Sequence, residues 1–235
     1  MLSVVCFKWR QPGYAVEYTA AHVEALRRMV ARFYPAPHRF ICVTDDPAGL
    51  GPGVEVVPLW SLHGDLPNPA GSSRPSCYRR LWLFSREAEA VFGPRFFALD
   101  LDVVAVGDLR PLWDRPEDFV GWRDPNFEGA YCGSMFLLRA GARAKVWESF
   151  DPLAGPAAAR RAGFSGSDQA WLSLVLGRGE ASWGPPDGVV SFKQDILRGR
   201  RGLLPSDRLV VFHGNPKPWS EQARRMAPWV REAWG

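Results

Sequence analysis

Short apolar bursts alternate along this chain with clusters of Gly, Pro, Asp and Asn, the pattern of a sheet protein with crossover connections. Val4-Val5-Cys6-Phe7 reads as a buried strand that Pro12-Gly13 breaks. Val16, Ala20, Val23, Val30 and Phe33 then fall at helical spacing, and Pro35 and Pro37 end that helix. Arg39 to Thr44 is a second strand, stopped by Asp45-Asp46-Pro47, and Val54 to Val57 a third. This strand–helix–strand order is what a parallel α/β sheet requires. Residues 62–75, rich in Gly, Pro, Asn and Ser, predict a long surface loop, and Tyr78 to Phe84 a helix beneath it. Phe96-Phe97-Ala98-Leu99 is again strand-like. It ends in Asp100-Leu101-Asp102 and is followed at once by Val103-Val104.

The second half is less regular. Phe119 to Trp122 and Ser134 to Leu138 read as strands, and Ala144 to Phe150 as a short helix. Ser165-Gly166-Ser167-Asp168 supplies N-cap residues for a helix through Leu176 that Gly177 closes. Val189 to Lys193 and Leu209 to Phe212 predict two more strands. In the tail, Met226, Trp229, Val230 and Trp234 recur at helical spacing between arginines. With no internal repeat and no low-complexity tract, residues 1–235 read as one domain. It divides into a first half over residues 1–115, a second half over 116–219 and a C-terminal helix over 220–235.

Composition changes this picture little. A 46% hydrophobic and 23% charged chain is ordinary for a soluble globular protein. Neither a transmembrane run nor a basic-then-apolar leader is apparent, which predicts a cytoplasmic protein. Cys6, Cys42, Cys77 and Cys132 form no CxxC, so free thiols in a reducing compartment are expected rather than a zinc site. The formal net charge is +4, and Lys8, Lys145, Lys193 and Lys217 are the only lysines. The arginine excess suits an anionic ligand or an anionic surface, but no groove-reading motif for nucleic acid is present. The tail helix either packs on the domain or lies peripherally at the inner face of a membrane.

The chemistry concentrates at two places. In a strand, residues i and i+2 face one side, so Asp100 and Asp102 would point together from the end of an apolar strand, where open α/β sheets bind ligands. Two such carboxylates demand a cation, and hard oxygen donors suit Mg²⁺ or Mn²⁺. Asp100-Leu101-Asp102-Val103-Val104 also fits the nucleophile motif of haloacid dehalogenase-type phosphatases. That motif sits on the first strand, however, and here it lies mid-chain. The second place is Phe212-His213-Gly214-Asn215-Pro216-Lys217-Pro218-Trp219, where an imidazole, a glycine and a lysine share one turn.

His213 to Trp219 resembles the HGxxKPW motif of glycosyltransferase family 8, the glycogenin-like and lipopolysaccharide galactosyltransferase-like enzymes. Asp-Leu-Asp resembles their DxD, Tyr78-Arg79-Arg80-Leu81 the segment before it, and Asp168-Gln169 their DQ pair. The full pattern is similar to a group of uncharacterised bacterial glycosyltransferases related to that family. The resemblance implies a GT-A fold, a single-domain, Rossmann-like α/β sandwich with a mixed central sheet. It also implies metal-dependent transfer, with retention, from a nucleotide-sugar, by family a UDP-sugar, to a carbohydrate or glycolipid acceptor. On this reading Asp100, Asp102 and His213 hold Mn²⁺ or Mg²⁺, and Arg80, Gly214 and Lys217 bind the diphosphate. Asp168 and Gln169 face the transferred sugar and the acceptor.

Two departures stand out. Lys8-Trp9-Arg10 replaces the acidic or Asn residue that reads uracil after the first strand, and Tyr131-Cys132-Gly133 replaces Asn-x-Gly. Asp45 and Asp46 are candidates for the missing base or ribose contacts, and Lys8 and Lys193 for further donor contacts. A non-catalytic nucleotide-sugar or carbohydrate-binding module on the same fold is the alternative reading. Trp60, Trp82, Trp122, Trp171 and Trp183 include candidate sugar platforms.

Overall fold

The computed structural model describes residues 1–11, 13–71 and 73–234. The break expected at Pro12 lies outside the described residues, as does Ser72 of the long loop. The strands are β1 (Leu2–Lys8), β2 (His38–Thr44), β3 (Glu55–Pro58), β4 (Arg95–Leu99), β5 (Val103–Ala105), β6 (Phe119–Arg123), β7 (Tyr131–Arg139), β8 (Ala181–Trp183), β9 (Val189–Ser191) and β10 (Leu209–Val211). The helices are α1 (Ala20–Phe33), α2 (Ala88–Phe92), α3 (Arg110–Trp113), α4 (Lys145–Glu148), α5 (Gly155–Arg161), α6 (Asp168–Leu176), α7 (Glu221–Met226) and α8 (Trp229–Trp234).

Seven strands form one mixed sheet in the order β3-β2-β1-β4-β7-β6-β8, and β5-β10-β9 form a second, small sheet. The pairs β1–β2, β1–β4, β2–β3 and β6–β8 are parallel, whereas β7 runs antiparallel to both β4 and β6. Period-two alternation splits the core between the two sheet faces. Val4 and Cys6 face α1, α8 and the small sheet, while Val5 and Phe7 face α2, α4, α6 and the 3-10 helix Tyr78–Phe84. Chain order runs outward from β1 through β2 to β3 and then returns to the other side of β1 as β4. The topological switch point, where open α/β sheets bind ligands, is therefore between β1 and β4.

Four expectations are corrected. Asp100 and Asp102 are not on a strand: β4 ends at Leu99, and Asp100-Leu101-Asp102 is the turn that carries the chain from the large sheet to the small one. Val16 precedes the first helix, which begins at Ala20 after the N-cap Thr19. Lys193 is not in a strand, because β9 stops at Ser191 and residues Phe192–Arg198 form a π-helical segment. The tail is two helices rather than one, divided at Ala227-Pro228 where proline lacks an N–H and disfavours helical geometry in the residue before it. Val230 and Trp234 are buried against the domain, so the packing reading of the tail holds for these residues. Among the described residues no helix is long and apolar enough to cross a membrane.

The long loop is pinned by its own polar side chains. The Asn68 Nδ2 donates to the Pro75 carbonyl at 2.7 Å, Ser76 Oγ to the Leu66 carbonyl at 2.5 Å, and Ser76 N to Gln11 Oε1 at 2.7 Å. The small sheet is held by a close approach at Gly188, whose φ is 81°. A Cβ there would lie 2.3 Å from the Ser206 carbonyl oxygen. Gly188→Ala should therefore cost at least about 2 kcal/mol through strained backbone and steric overlap, read as a lower urea midpoint at unchanged m-value.

Candidate functional site

The turn after β4 places two carboxylates at the switch point and sends them apart. Asp102 is 4% exposed and forms an ion pair with the Lys217 ammonium, which is itself 7% exposed. Its second oxygen, Oδ1, is buried without a hydrogen-bond partner. The Asp100 carboxylate instead pairs with the Arg80 guanidinium. Arg80 also meets Asp168 through Nε at 2.8 Å and Nη2 at 2.7 Å, so one buried cation bridges two carboxylates.

The two cations are held charged by their neighbours, whereas burial raises the pKa of Asp102 and Asp168 above the ordinary carboxylate value. Burial works against the Arg80 guanidinium, but Asp100 and Asp168 together raise its pKa. Burial likewise opposes the Lys217 ammonium, and Asp102 overrules it, so its pKa stands above the ordinary lysine value. Asp168 is pushed up by burial while Arg80 pulls it down. Gly133 makes room for this network: a Cβ there would lie 2.3 Å from Arg80 Nη2 and 3.5 Å from Asp168 Oδ2. That is a physical reason for the glycine in Tyr131-Cys132-Gly133.

The predicted residues of the last turn converge on Lys217. Gly214 has φ 71° and lies under Lys193, whose ammonium would be 2.9 Å from a Cβ at that position. Lys193 forms no ion pair among the described residues, and its pKa is lowered by burial and then by the charge of Lys217. His213 is also held toward its neutral form, by burial and then by Lys193. Its Nε2 is 2.7 Å from Ser191 Oγ, and that hydroxyl accepts from Gln194 N at 3.1 Å, capping the π-helical segment that carries Lys193. Among the described residues no group of three His, Cys, Asp or Glu side chains stands ready around one point. Asp100, Asp102 and His213 share the same end of the molecule with each side chain on its own partner.

The remaining candidates line the same edge or support it. Lys8 ends β1, the strand beside β4 in the large sheet. Lys8 is 5% exposed, and its ammonium stands 3.6 Å from the exposed Asp46 carboxylate. Asp45 Oδ2 accepts from Arg10 N at 3.3 Å. Gln169 Oε1 is 3.5 Å from Gly133 N, at the limit of a hydrogen bond. Ser167 does not cap α6 with its side chain; its Oγ instead accepts from Cys77 N at 2.9 Å, tying that helix to the segment that carries Arg80. Trp122, Trp171 and Trp183 are buried and offer no sugar platform, whereas Trp60 and Trp82 are half-buried and packed on each other at 4.5 Å.

Two tyrosines not foreseen complete the edge. Burial raises both phenols; Lys217 opposes this at Tyr14, and the charges of Asp102 and Asp100 add to it at both. Lys217 Nζ lies over the Tyr18 ring, 5.9 Å from its centroid. Their only sequence signal was two tyrosines four residues apart just ahead of a helix. A cleft of about 330 Å³ opens beside Lys217, between Ala15-Val16-Glu17 on one side and Pro216, Trp219 and Ser220 on the other.

No protein-family model and no curated protein matches this sequence. Solved structures do match its fold. The galactosyltransferase LgtC in complex with donor and acceptor sugar analogs aligns with a TM-score of 0.62 at 15% identity, over 98% of this chain and 96% of that one. An active-site mutant of LgtC aligns at 0.62 and 14% identity, over 97% and 95%. The glycosyltransferase GlyE of Streptococcus pneumoniae aligns at 0.60 and 12% identity, over 94% of this chain and 57% of that one. The architecture is the α/β GT-A fold of these glycosyltransferases, with the mixed central sheet expected of it.

The Arg80 bridge yields a direct test of the site's electrostatics. Arg80→Met leaves two carboxylates without a counter-charge and should destabilise the fold by about 3–5 kcal/mol. Adding Asp168→Asn should restore part of that loss in chemical denaturation, because one buried charge is then removed.

Proposed function

We propose that this protein is a glycosyltransferase that transfers a sugar from a nucleoside diphosphate sugar, a UDP-hexose by family resemblance, to a carbohydrate or glycolipid acceptor with retention. The observation that carries the reading is the charge count at the switch point. Arg80, Lys193 and Lys217 stand against Asp100, Asp102 and Asp168, so these six charges cancel. A nucleotide-sugar brings about two negative charges in its diphosphate, one per phosphate. A divalent cation restores the balance.

The donor chemistry of the residues suits such an ion, with Asp100 and His213 exchanging their present partners for it. The buried Asp102 Oδ1 has no partner, Asp100 offers a second carboxylate, and His213 is biased to the neutral imidazole that binds metal. Mn²⁺ or Mg²⁺ held by Asp100, Asp102 and His213 would act as a Lewis acid for the departing diphosphate. The chain's own groups do the rest. Lys217 and Lys193, with the close backbone approach that Gly214 permits, receive the diphosphate and stabilise the charge that grows on it as the sugar–phosphate bond breaks. Lys8, buried with Asp46 at 3.6 Å, offers its donors to the nucleoside, with Asp45 and Asp46 beside it.

Asp168 acts through Arg80 by fixing that cation against Asp100, so it positions the diphosphate side of the site. Gln169 lies beside it and is suited to hold sugar hydroxyls, since an amide takes no proton near neutral pH. Asp168 is committed to Arg80, so on this reading the acceptor's proton goes to a phosphate oxygen on the leaving-group side. This front-face arrangement retains configuration.

The experiment is release of UDP from a panel of UDP-hexoses with Mn²⁺, together with calorimetric UDP binding with and without the metal. Asp102→Asn should weaken metal-dependent UDP binding by at least about tenfold, about 1.4 kcal/mol. Unchanged affinity in that variant would remove Asp102 from the ligand set. Donor binding with neither transfer nor hydrolysis would favour the non-catalytic module.

A further inference from the structure

The turn that carries Lys217 is not held by its own backbone alone. Trp219, two residues on, is gripped by three aromatic rings from elsewhere. Its centroid is 4.1 Å from the His22 ring, 5.7 Å from Tyr18 and 5.5 Å from Trp234. Tyr18 in turn presents its face to the Lys217 ammonium. The cleft beside Lys217 is lined by Trp219 itself.

His22 occupies an unusual place in this stack. It is the third residue of α1, the capping-box position, where Glu or Gln ordinarily accepts from the N-cap backbone. Here Thr19 N donates to His22 Nδ1 at 2.8 Å, while His22 N donates to the Thr19 carbonyl at 3.1 Å. Nδ1 therefore carries no proton. One imidazole both caps α1 and packs against Trp219.

We propose that His22 is a positioning residue for the donor: as a neutral imidazole it fixes Trp219, and through it Lys217, and on protonation it releases the turn. A protonated ring has no acceptor for Thr19 N–H, so the cap and the packing fail together. The inference rests on the nucleotide-sugar reading of the Lys217 site.

The charges around the ring permit this. From the loop before α1 it meets Tyr18, and from the turn Trp219, with Lys217 beyond Tyr18. From α8 it meets Trp234, whose helix neighbours Arg231 and Glu232 are exposed. Among the described residues no carboxylate pairs with the imidazole, and burial alone lowers its pKa below the ordinary 6.5. The sign follows. The unfolded chain takes up the proton first as pH falls below 6.5, so the contribution of neutral His22 to the folded turn is lost between that pH and the lower folded value.

The test measures binding of UDP-glucose with Mn²⁺ between about pH 5 and pH 8, since its diphosphate does not titrate in that range. His22→Gln keeps an acceptor for Thr19 N–H and cannot take the proton. The wild type should lose about tenfold in affinity toward the acid end, and His22→Gln less than about threefold. His213 titrates in both proteins, so the difference reports His22. His22→Ala should bind about tenfold more weakly at pH 8 while melting cooperatively. An acid loss equal in wild type and His22→Gln, or wild-type affinity in His22→Ala, overturns the proposal.

A second measurement stands apart from donor binding. In NMR spectra, the His22 C2–H titration should coincide with a shift of the Trp219 indole N–H, and a Trp219 signal that ignores that titration also overturns the proposal. Failure of UDP-glucose to bind at any pH would overturn the nucleotide-sugar reading instead, and the NMR titration would still decide the role of His22.

Discussion

Burying carboxylates at the end of an apolar sheet is costly, and that cost organises this molecule. Asp102 and Asp168 are almost without solvent, and an isolated buried carboxylate is tolerated only when a counter-charge and hydrogen bonds accompany it. Lys217 and Arg80 supply the counter-charges from distant parts of the chain. Their demand fixes the relative placement of the DxD turn, the 3-10 helix before β4, the start of α6 and the turn after β10. Gly133 leaves space for the guanidinium, and Ser167 ties α6 to Cys77 at its flank. The ion pairs thus tie four segments to one place, at the switch point between β1 and β4.

The same constraint explains why the site suits a dianionic ligand. Two buried cations are already committed to carboxylates, whereas Lys193 is uncommitted and Lys8 is only loosely held near Asp46. On the proposed reading, a diphosphate entering this edge would meet these lysines in a setting of low dielectric, where charge acts more strongly than in water. The orphaned Asp102 oxygen leaves one strong donor available to a hard cation. The aromatic stack of Tyr18, His22, Trp219 and Trp234 joins the C-terminal helix to the turn that carries Lys217.

Much of the fold was legible because period-two alternation and short apolar runs are local properties. The strands at Val4, Arg39, Val54, Phe96, Phe119, Ser134, Val189 and Leu209 each announced themselves by burial pattern and β-branched or aromatic content. What escaped were the pieces too short to show a period. The three-residue β8, the five-residue α2 and the Gly-Pro-Ala start of α5 carry no more than a turn or two of signal. Reading Asp100 and Asp102 as strand residues failed for another reason. The change of sheet between Leu99 and Val103 depends on β10 being present to pair with β5, a contact across about a hundred residues of chain.

The sequence by itself singled out the candidate site residues, since Asp-Leu-Asp and His-Gly-Asn-Pro-Lys-Pro-Trp concentrate charge and imidazole at the ends of apolar runs. It also determined the alternation that makes an α/β sandwich. Tertiary structure alone decided that the two aspartates take different partners, that Arg80 bridges Asp100 to Asp168, and that Tyr18 and His22 pack beside Lys217 and Trp219. Those pairings arise from the free energy of compensating buried charge and packing rings across the fold, and no spacing along the chain encodes them.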